Sequence, residues 1–127
     1  MTKNAALWQR GRYALAGLTR AIRAEASFRT ELGAVLLGIA LLVFTQAPVF
    51  WWALLILLMA AILATELLNT AIETLADRVN PELDPLIGRA KDLGAAAVFV
   101  LSVAAILLAL CLLWAYFHGA GGFAPTT

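Results

Sequence analysis

The sequence predicts an all-α membrane protein: three transmembrane helices behind an amphipathic N-terminal helix that lies on the membrane surface. Three observations predict it. Of 127 residues, 63% are apolar and 13% charged, whereas soluble domains run near half and a quarter. Two uncharged stretches, Leu32 to Thr65 and Leu93 to Phe117, hold three segments approaching the roughly 20 residues that a spanning helix needs. The lysines and arginines lie only before the first stretch and between the two. The length admits one domain, residues 1–127. A net charge of +1 gives no basic field to gather nucleic acid, so no nucleic-acid partner is expected. Cys111 has no partner for an internal disulfide and reads as a small apolar residue.

The first element covers residues 1–29. At about 100° per residue, Leu7, Trp8, Leu15, Leu18 and Ile22 fall within one sector and Arg10, Arg12, Arg20 and Arg23 on the other, the pattern of a helix lying in the inner leaflet. Anchoring is its simplest role. Continuing the wheel carries Glu25 and Arg29 round to the apolar sector, so the chain must bend there or the two must meet polar partners. No short basic and apolar leader with a cleavage site precedes the first span, which is expected to stay in the mature protein.

The stretch from Leu32 to Thr65 is too long for one span, and Thr45-Gln46-Ala47-Pro48 supplies the break because Pro48 lacks a backbone donor and biases Ala47 away from helix. Spans are expected at about 31–45, 49–66 and 93–117, with residues 66–92 as a helix extension and loop. Phe50, Trp51 and Trp52 after the turn, and Trp114, Tyr116 and Phe117 at the end, stand where interfacial aromatic belts stand. The basic residues put the N-terminus and 66–92 in the cytoplasm and the tail after His118 outside. The glycines and proline of that tail give no reason for it to be ordered.

Chemistry concentrates where the second span ends. Glu66, Asn69, Glu73 and Asp77 follow one another at steps of three, four and four, within about 80° on a helix. A solvated cytoplasmic face would account for Asp77. It accounts poorly for Glu66, which follows an uninterrupted apolar span, because an ionisable group at that boundary is functional by default. Three carboxylates in one stripe repel unless a cation joins them, and Mg²⁺ takes one or two carboxylates with water and substrate phosphate. Downstream, Gly88-Arg89-Ala90-Lys91-Asp92-Leu93-Gly94 places two cations and a carboxylate at the mouth of the third span. Positive-inside anchoring alone would explain the cations; beside the acidic stripe, Lys91 can neutralise phosphate and Asp92 can hold a metal-bound or hydroxyl group. Neither a Gly-x-x-x-x-Gly-Lys-Ser/Thr loop nor a His-Arg-Asp catalytic loop is present.

Three blocks, Ala24-Glu25-Ala26-Ser27-Phe28-Arg29-Thr30-Glu31, Glu66 through Asp77, and Gly88 through Gly94, resemble the bacterial integral-membrane diacylglycerol kinase family over nearly the whole chain. The resemblance implies a homotrimeric helical bundle with active sites shared between subunits, ATP as co-substrate, Mg²⁺ as cofactor and a membrane lipid alcohol as acceptor. By the same resemblance Glu66 is the catalytic carboxylate that accepts the lipid hydroxyl's proton, with Asn69 supporting it. Glu25 and Glu73 correspond to the metal-holding pair. Lys91 and Asp92 correspond to nucleotide-phosphate ligands, with Tyr13 and Glu82-Leu83-Asp84 near the nucleotide, and Ser27, Phe28, Arg29, Thr30, Glu31 and Ala95 to lipid contacts. Ala6 stands where the family carries an early arginine, which Arg10 or Arg12 would replace. Ala14 and Ala95 stand where its best-known member has serines.

The expected function is phosphorylation of diacylglycerol to phosphatidic acid at the cytoplasmic surface of the bacterial inner membrane. Related small kinases act on undecaprenol, the nearest alternative, because both acceptors offer a primary hydroxyl at an interface. A small cation or multidrug carrier built on one intramembrane glutamate is the alternative of another class. Carriers place that glutamate mid-span, whereas Glu66 opens a polar stripe.

Overall fold

The structure is a computed structural model that describes residues 6–79 and 84–124. Its elements are α1 (Leu7–Ala24), α2 (Ala26–Phe44), α3 (Val49–Val79) and α4 (Pro85–His118), and no strand occurs among the described residues. Helices α2, α3 and α4 are long and apolar enough to cross a membrane. Helix α3 is the hub: it packs most extensively on α4 and less on α2, while α1 meets mainly α2.

The helix ends differ from the hydropathy limits, each for a local reason. Helix α1 stops at Ala24, five residues before the expected end of the surface element, because Glu25 is extended at φ −101° and ψ 113°. That bend is one of the two outcomes the charged wheel positions left open. The Arg29 guanidinium reaches back across it and donates to the carbonyls of Ile22 and Arg23 at 3.3 and 3.2 Å, satisfying acceptors that the last turn of a helix leaves open. Residues 88–92, expected in the loop before the third span, are helical. The Asp84 side chain accepts from the Leu86 amide at 2.8 Å and Pro85 sits in the first turn, a cap followed by the one residue with no donor to lose. Hydropathy marks where charge stops and says nothing of where the helix begins. At 34 residues, α4 is about 50 Å long, far more than the roughly 30 Å of hydrocarbon, so its first turns project into water.

The buried residues of α3 are Trp51, Leu55, Met59, Ile62, Glu66, Asn69 and Ala76. With half-buried Glu73 between the last two, they advance by steps of four and three, the spacing of a packing seam between helices crossing at a shallow angle. One face of one helix is therefore apolar core at its N-terminal end and polar constellation at its C-terminal end.

Around the N-terminal half of α3, Leu42, Ala47, Trp51, Leu55, Met59, Leu112 and Ala115 form one cluster. Trp51 is thus a core residue rather than part of a lipid-facing belt. The tail after α4, expected to be unordered, folds back over the hairpin as far as Ala124. Gly121 and Gly122 have φ of +60° and +87°, a backbone region that favours glycine. A side chain on Gly121 would meet the Trp51 ring at 3.0 Å. The Trp51 indole N–H donates to the Gly121 carbonyl at 2.9 Å, and Phe123 lies against the Trp51 and Tyr116 rings. Glycine content read as looseness is here what permits the reversal. Trp51→Phe keeps most of the ring and loses the donor, so it is expected to cost about 1 kcal/mol, read as a lower melting temperature. Activity should be unchanged, because the lost contact lies at the end of the molecule opposite the polar stripe.

Candidate active site

Burial falls steadily along the polar stripe. Glu66 is 3% exposed and Asn69 8%, Glu73 is half-buried and Asp77 exposed, so the stripe runs from protein interior to solvent within three helical turns. The Asn69 Nδ2 donates to Glu73 Oε1 at 3.2 Å. Among the described residues its buried Oδ1 has no hydrogen-bond partner, and such an acceptor costs about 1–3 kcal/mol until a donor arrives. Among the described residues no hydrogen bond is made to the Glu66 carboxylate. The constellation therefore contains two buried oxygen-bearing side chains able to receive a proton or a hydrogen bond from something outside the chain.

Helix α4 forms the facing wall. Buried Gly94 lies against Asn69 and Ile72. One turn earlier Lys91 Nζ donates to Asp77 Oδ1 at 2.8 Å, an ion pair at the solvent end of the stripe. Lys91 precedes the uncharged stretch of α4, and the hydrogen bond to Asp77, aided by the charges of Asp77 and Glu73, holds its ammonium protonated above the usual lysine range. Asp77, for which a solvated face sufficed in the sequence, is thus the partner of the lysine. Asp92 is one residue further on, about 100° round the helix, and both it and Ala95 are exposed. Lys91 faces its own stripe and Asp92 does not.

Glu25 is half-buried at the α1–α2 bend, and Tyr13 is exposed on α1. Of the α2 entry, Ser27 and Thr30 are exposed and Phe28 is enclosed within the chain. Arg29 is turned toward the carbonyls of α1. Thr30 and Glu31 stand at the rim of an apolar groove of about 370 Å³ between α2, α3 and α4, floored by Leu55, Met59 and Ile62, with Ser102 on its far wall. Asp84 caps α4, while Glu82 and Leu83 lie outside the described residues. No three of His, Cys, Asp and Glu converge as a metal site among the described residues.

A profile of the family described as prokaryotic diacylglycerol kinase matches residues 12–113. The chain belongs to the prokaryotic diacylglycerol kinase family. It is 38% identical over 105 residues to the diacylglycerol kinase of Escherichia coli (strain K12), covering 83% of this chain and 86% of that one. Its identity to the diacylglycerol kinase of Pseudomonas aeruginosa is 44% over 90 residues, covering 69% and 72%, and to the undecaprenol kinase of Bacillus subtilis 30% over 94 residues, covering 74% and 76%. The protein is accordingly a bacterial membrane enzyme, a lipid kinase, and the carrier alternative is set aside.

Within this kinase the profile takes in the whole stripe, Lys91 and Gly94, but not the tail that folds over Trp51. The sequence reading missed Gly94 and the groove. Steps of four and three running through Asn69 could have flagged the polar residues as seam positions, but nothing in a single sequence says which residue of α4 faces them. Asp77→Asn should lower the melting temperature only slightly, since an exposed pair contributes about 0–1 kcal/mol. If Lys91 serves nucleotide phosphate, as the family resemblance implies, freeing it should change the KM for ATP more than that for lipid; an unchanged nucleotide KM would show that the pairing with Asp77 does not bear on nucleotide binding.

Proposed function

We propose that the protein transfers the γ-phosphoryl group of ATP to the hydroxyl of diacylglycerol, giving phosphatidic acid, on the cytoplasmic face of the bacterial inner membrane. The observation that supports this most is Glu66, a carboxylate 3% exposed at the join between an apolar seam and a polar stripe. A lipid's headgroup and tails would meet the same division there. Phosphoryl transfer asks mainly for positioning and charge neutralisation, which a few carboxylates and a lysine can supply.

In this reading Glu66 accepts the hydroxyl proton as the lipid oxygen attacks the γ-phosphorus and the bond to the β-phosphate oxygen breaks. Asn69 Oδ1, open in the free chain, takes a hydrogen bond from the acceptor or from a bound water. The rim of the groove at Thr30 and Glu31 admits the acyl region, and Lys91 turns from Asp77 to the phosphates. The donor set of Glu25 and Glu73 suits Mg²⁺, which takes one or two carboxylates alongside phosphate oxygens. The metal supplies charge neutralisation on the phosphates. Glu73, oriented by the Asn69 amide, and Glu25, at the bend, would hold it. Either carboxylate changed to Gln should raise the magnesium concentration needed for half-maximal rate. An unchanged titration in both variants would return the pair to a structural role.

We further propose a homotrimer whose sites are shared. A chain with three spans encloses little of its own, and Asp92 and Ala95 are exposed on α4 away from the chain's own stripe, where a neighbouring subunit can use them. In the trimer α1 lies on the inner leaflet, its exposed Leu7, Trp8, Leu15, Leu18 and Ile22 covered by lipid.

Undecaprenol is the second reading of the acceptor, supported by the Bacillus subtilis relative. The kinase reading itself is tested with purified protein in mixed micelles, γ-radiolabelled ATP, magnesium and diacylglycerol. Label should appear in phosphatidic acid and disappear on chelation; label released only as inorganic phosphate would overturn it.

A further inference from the structure

Among the helix glycines, Gly94 alone has a missing side chain that would meet a nitrogen or oxygen atom. A Cβ built on it would collide with Asn69 Oδ1, and would stand 3.4 Å from Asn69 Cγ and 3.6 Å from Ile72 Cδ1. Around Gly33 and Gly88 the same construction meets nothing within 4 Å, and at Gly38 it meets the flexible ends of Leu55 and Met59. The oxygen at Gly94 is the buried acceptor that lacks a partner among the described residues. The other end of the same planar amide donates to Glu73 Oε1. Because the two ends move together, displacing Oδ1 must displace Nδ2.

We infer that Gly94 is a positioning residue: by presenting bare backbone to Asn69 it fixes the plane of that amide and, through Nδ2, the carboxylate of Glu73. Oδ1 is left free for a donor from outside the chain. Only the further step, that Glu73 holds magnesium, rests on the function proposed above. The residue couples α4 to the stripe on α3 with no hydrogen bond of its own. A larger side chain at 94 rotates the amide off Glu73 or pushes the helices apart at the mouth of the site.

The test is Gly94→Ala in the parent and in Asn69→Ala, with melting temperature and magnesium titration as readouts. Gly88→Ala in the same helix controls for the gain in helix propensity that alanine brings. Gly94→Ala should lower the melting temperature of the parent and raise the magnesium requirement several-fold, leaving the KM for lipid unchanged. In Asn69→Ala, where the amide is gone, it should cost nothing and behave as Gly88→Ala does. Equal losses in both backgrounds, or no loss in either, would overturn the contact. Should Gly94→Ala alone fail to assemble, recovery of folding by Asn69→Ala supports the proposal and continued failure overturns it. A stability coupling with an unchanged magnesium requirement, while Glu73→Gln does shift that requirement, overturns the link through Glu73. If Glu73→Gln leaves the titration unmoved as well, the magnesium assignment fails instead, and the stability cycle still decides the contact with Asn69.

Discussion

Glu66→Gln is expected to yield a folded, membrane-inserted protein whose turnover is at least about 100-fold below the parent's, because positioned proton transfer is worth that much or more. The amide keeps the length and planarity of the carboxylate, so the seam around position 66 loses little packing. Glutamine cannot take up the hydroxyl proton. The two consequences are separable. Melting temperature and oligomeric size in detergent report the fold, and initial rates at saturating ATP and lipid report the chemistry. Turnover within about tenfold of the parent would remove Glu66 from the role of base, since a positioned base contributes more than that. A protein that aggregates instead would show that the carboxylate is needed for packing, and Glu66→Asp would then separate length from charge.

Two dead variants, Glu66→Gln and Asp92→Asn, should recover activity when their chains are mixed before assembly. Lys91 faces Asp77 of its own chain, yet Asp92, about 100° further round α4, is exposed. If Asp92 completes a neighbour's site, a site is intact wherever its Glu66 comes from the Asp92→Asn chain and its Asp92 from the Glu66→Gln chain. Random mixing of equal amounts then gives about a quarter of the parent rate for a closed symmetric assembly. Sites built within one chain would leave the mixture as inactive as its components. That outcome removes shared sites and leaves the lipid-kinase assignment intact.

The spans and the stripe were legible because they rest on patterns one sequence displays: absence of charge over a membrane's width, and polar residues repeating at three and four. Glu66 stood out for the same reason, as a charge following an apolar run. Other features depend on which surface meets which. The wheel called for a bend at Glu25 or polar partners there, but the Arg29 side chain that closes the bend across seven residues carries no periodic signature, and arginine before a span reads equally well as an anchor. The start of α4 is present in the sequence as Asp84-Pro85, a cap and a first-turn proline, a signal that hydropathy does not carry. The tail is ambiguous in sequence because glycine permits disorder and sharp reversal alike, and only Trp51, seventy residues away, decides between them. The approach of Gly94 to Asn69 belongs to the register between α3 and α4, which neither helix encodes alone.

The most direct test of the account is competition between the two acceptors in one vessel. Purified protein in mixed micelles, with magnesium and γ-radiolabelled ATP, is given diacylglycerol and undecaprenol at equal surface concentration, and the labelled products are separated by chromatography. Label should accumulate in phosphatidic acid in large excess over undecaprenyl phosphate, and Glu66→Gln should abolish it. Label confined to undecaprenyl phosphate would contradict the assignment of the acceptor, and label in neither lipid would contradict the transfer reaction itself.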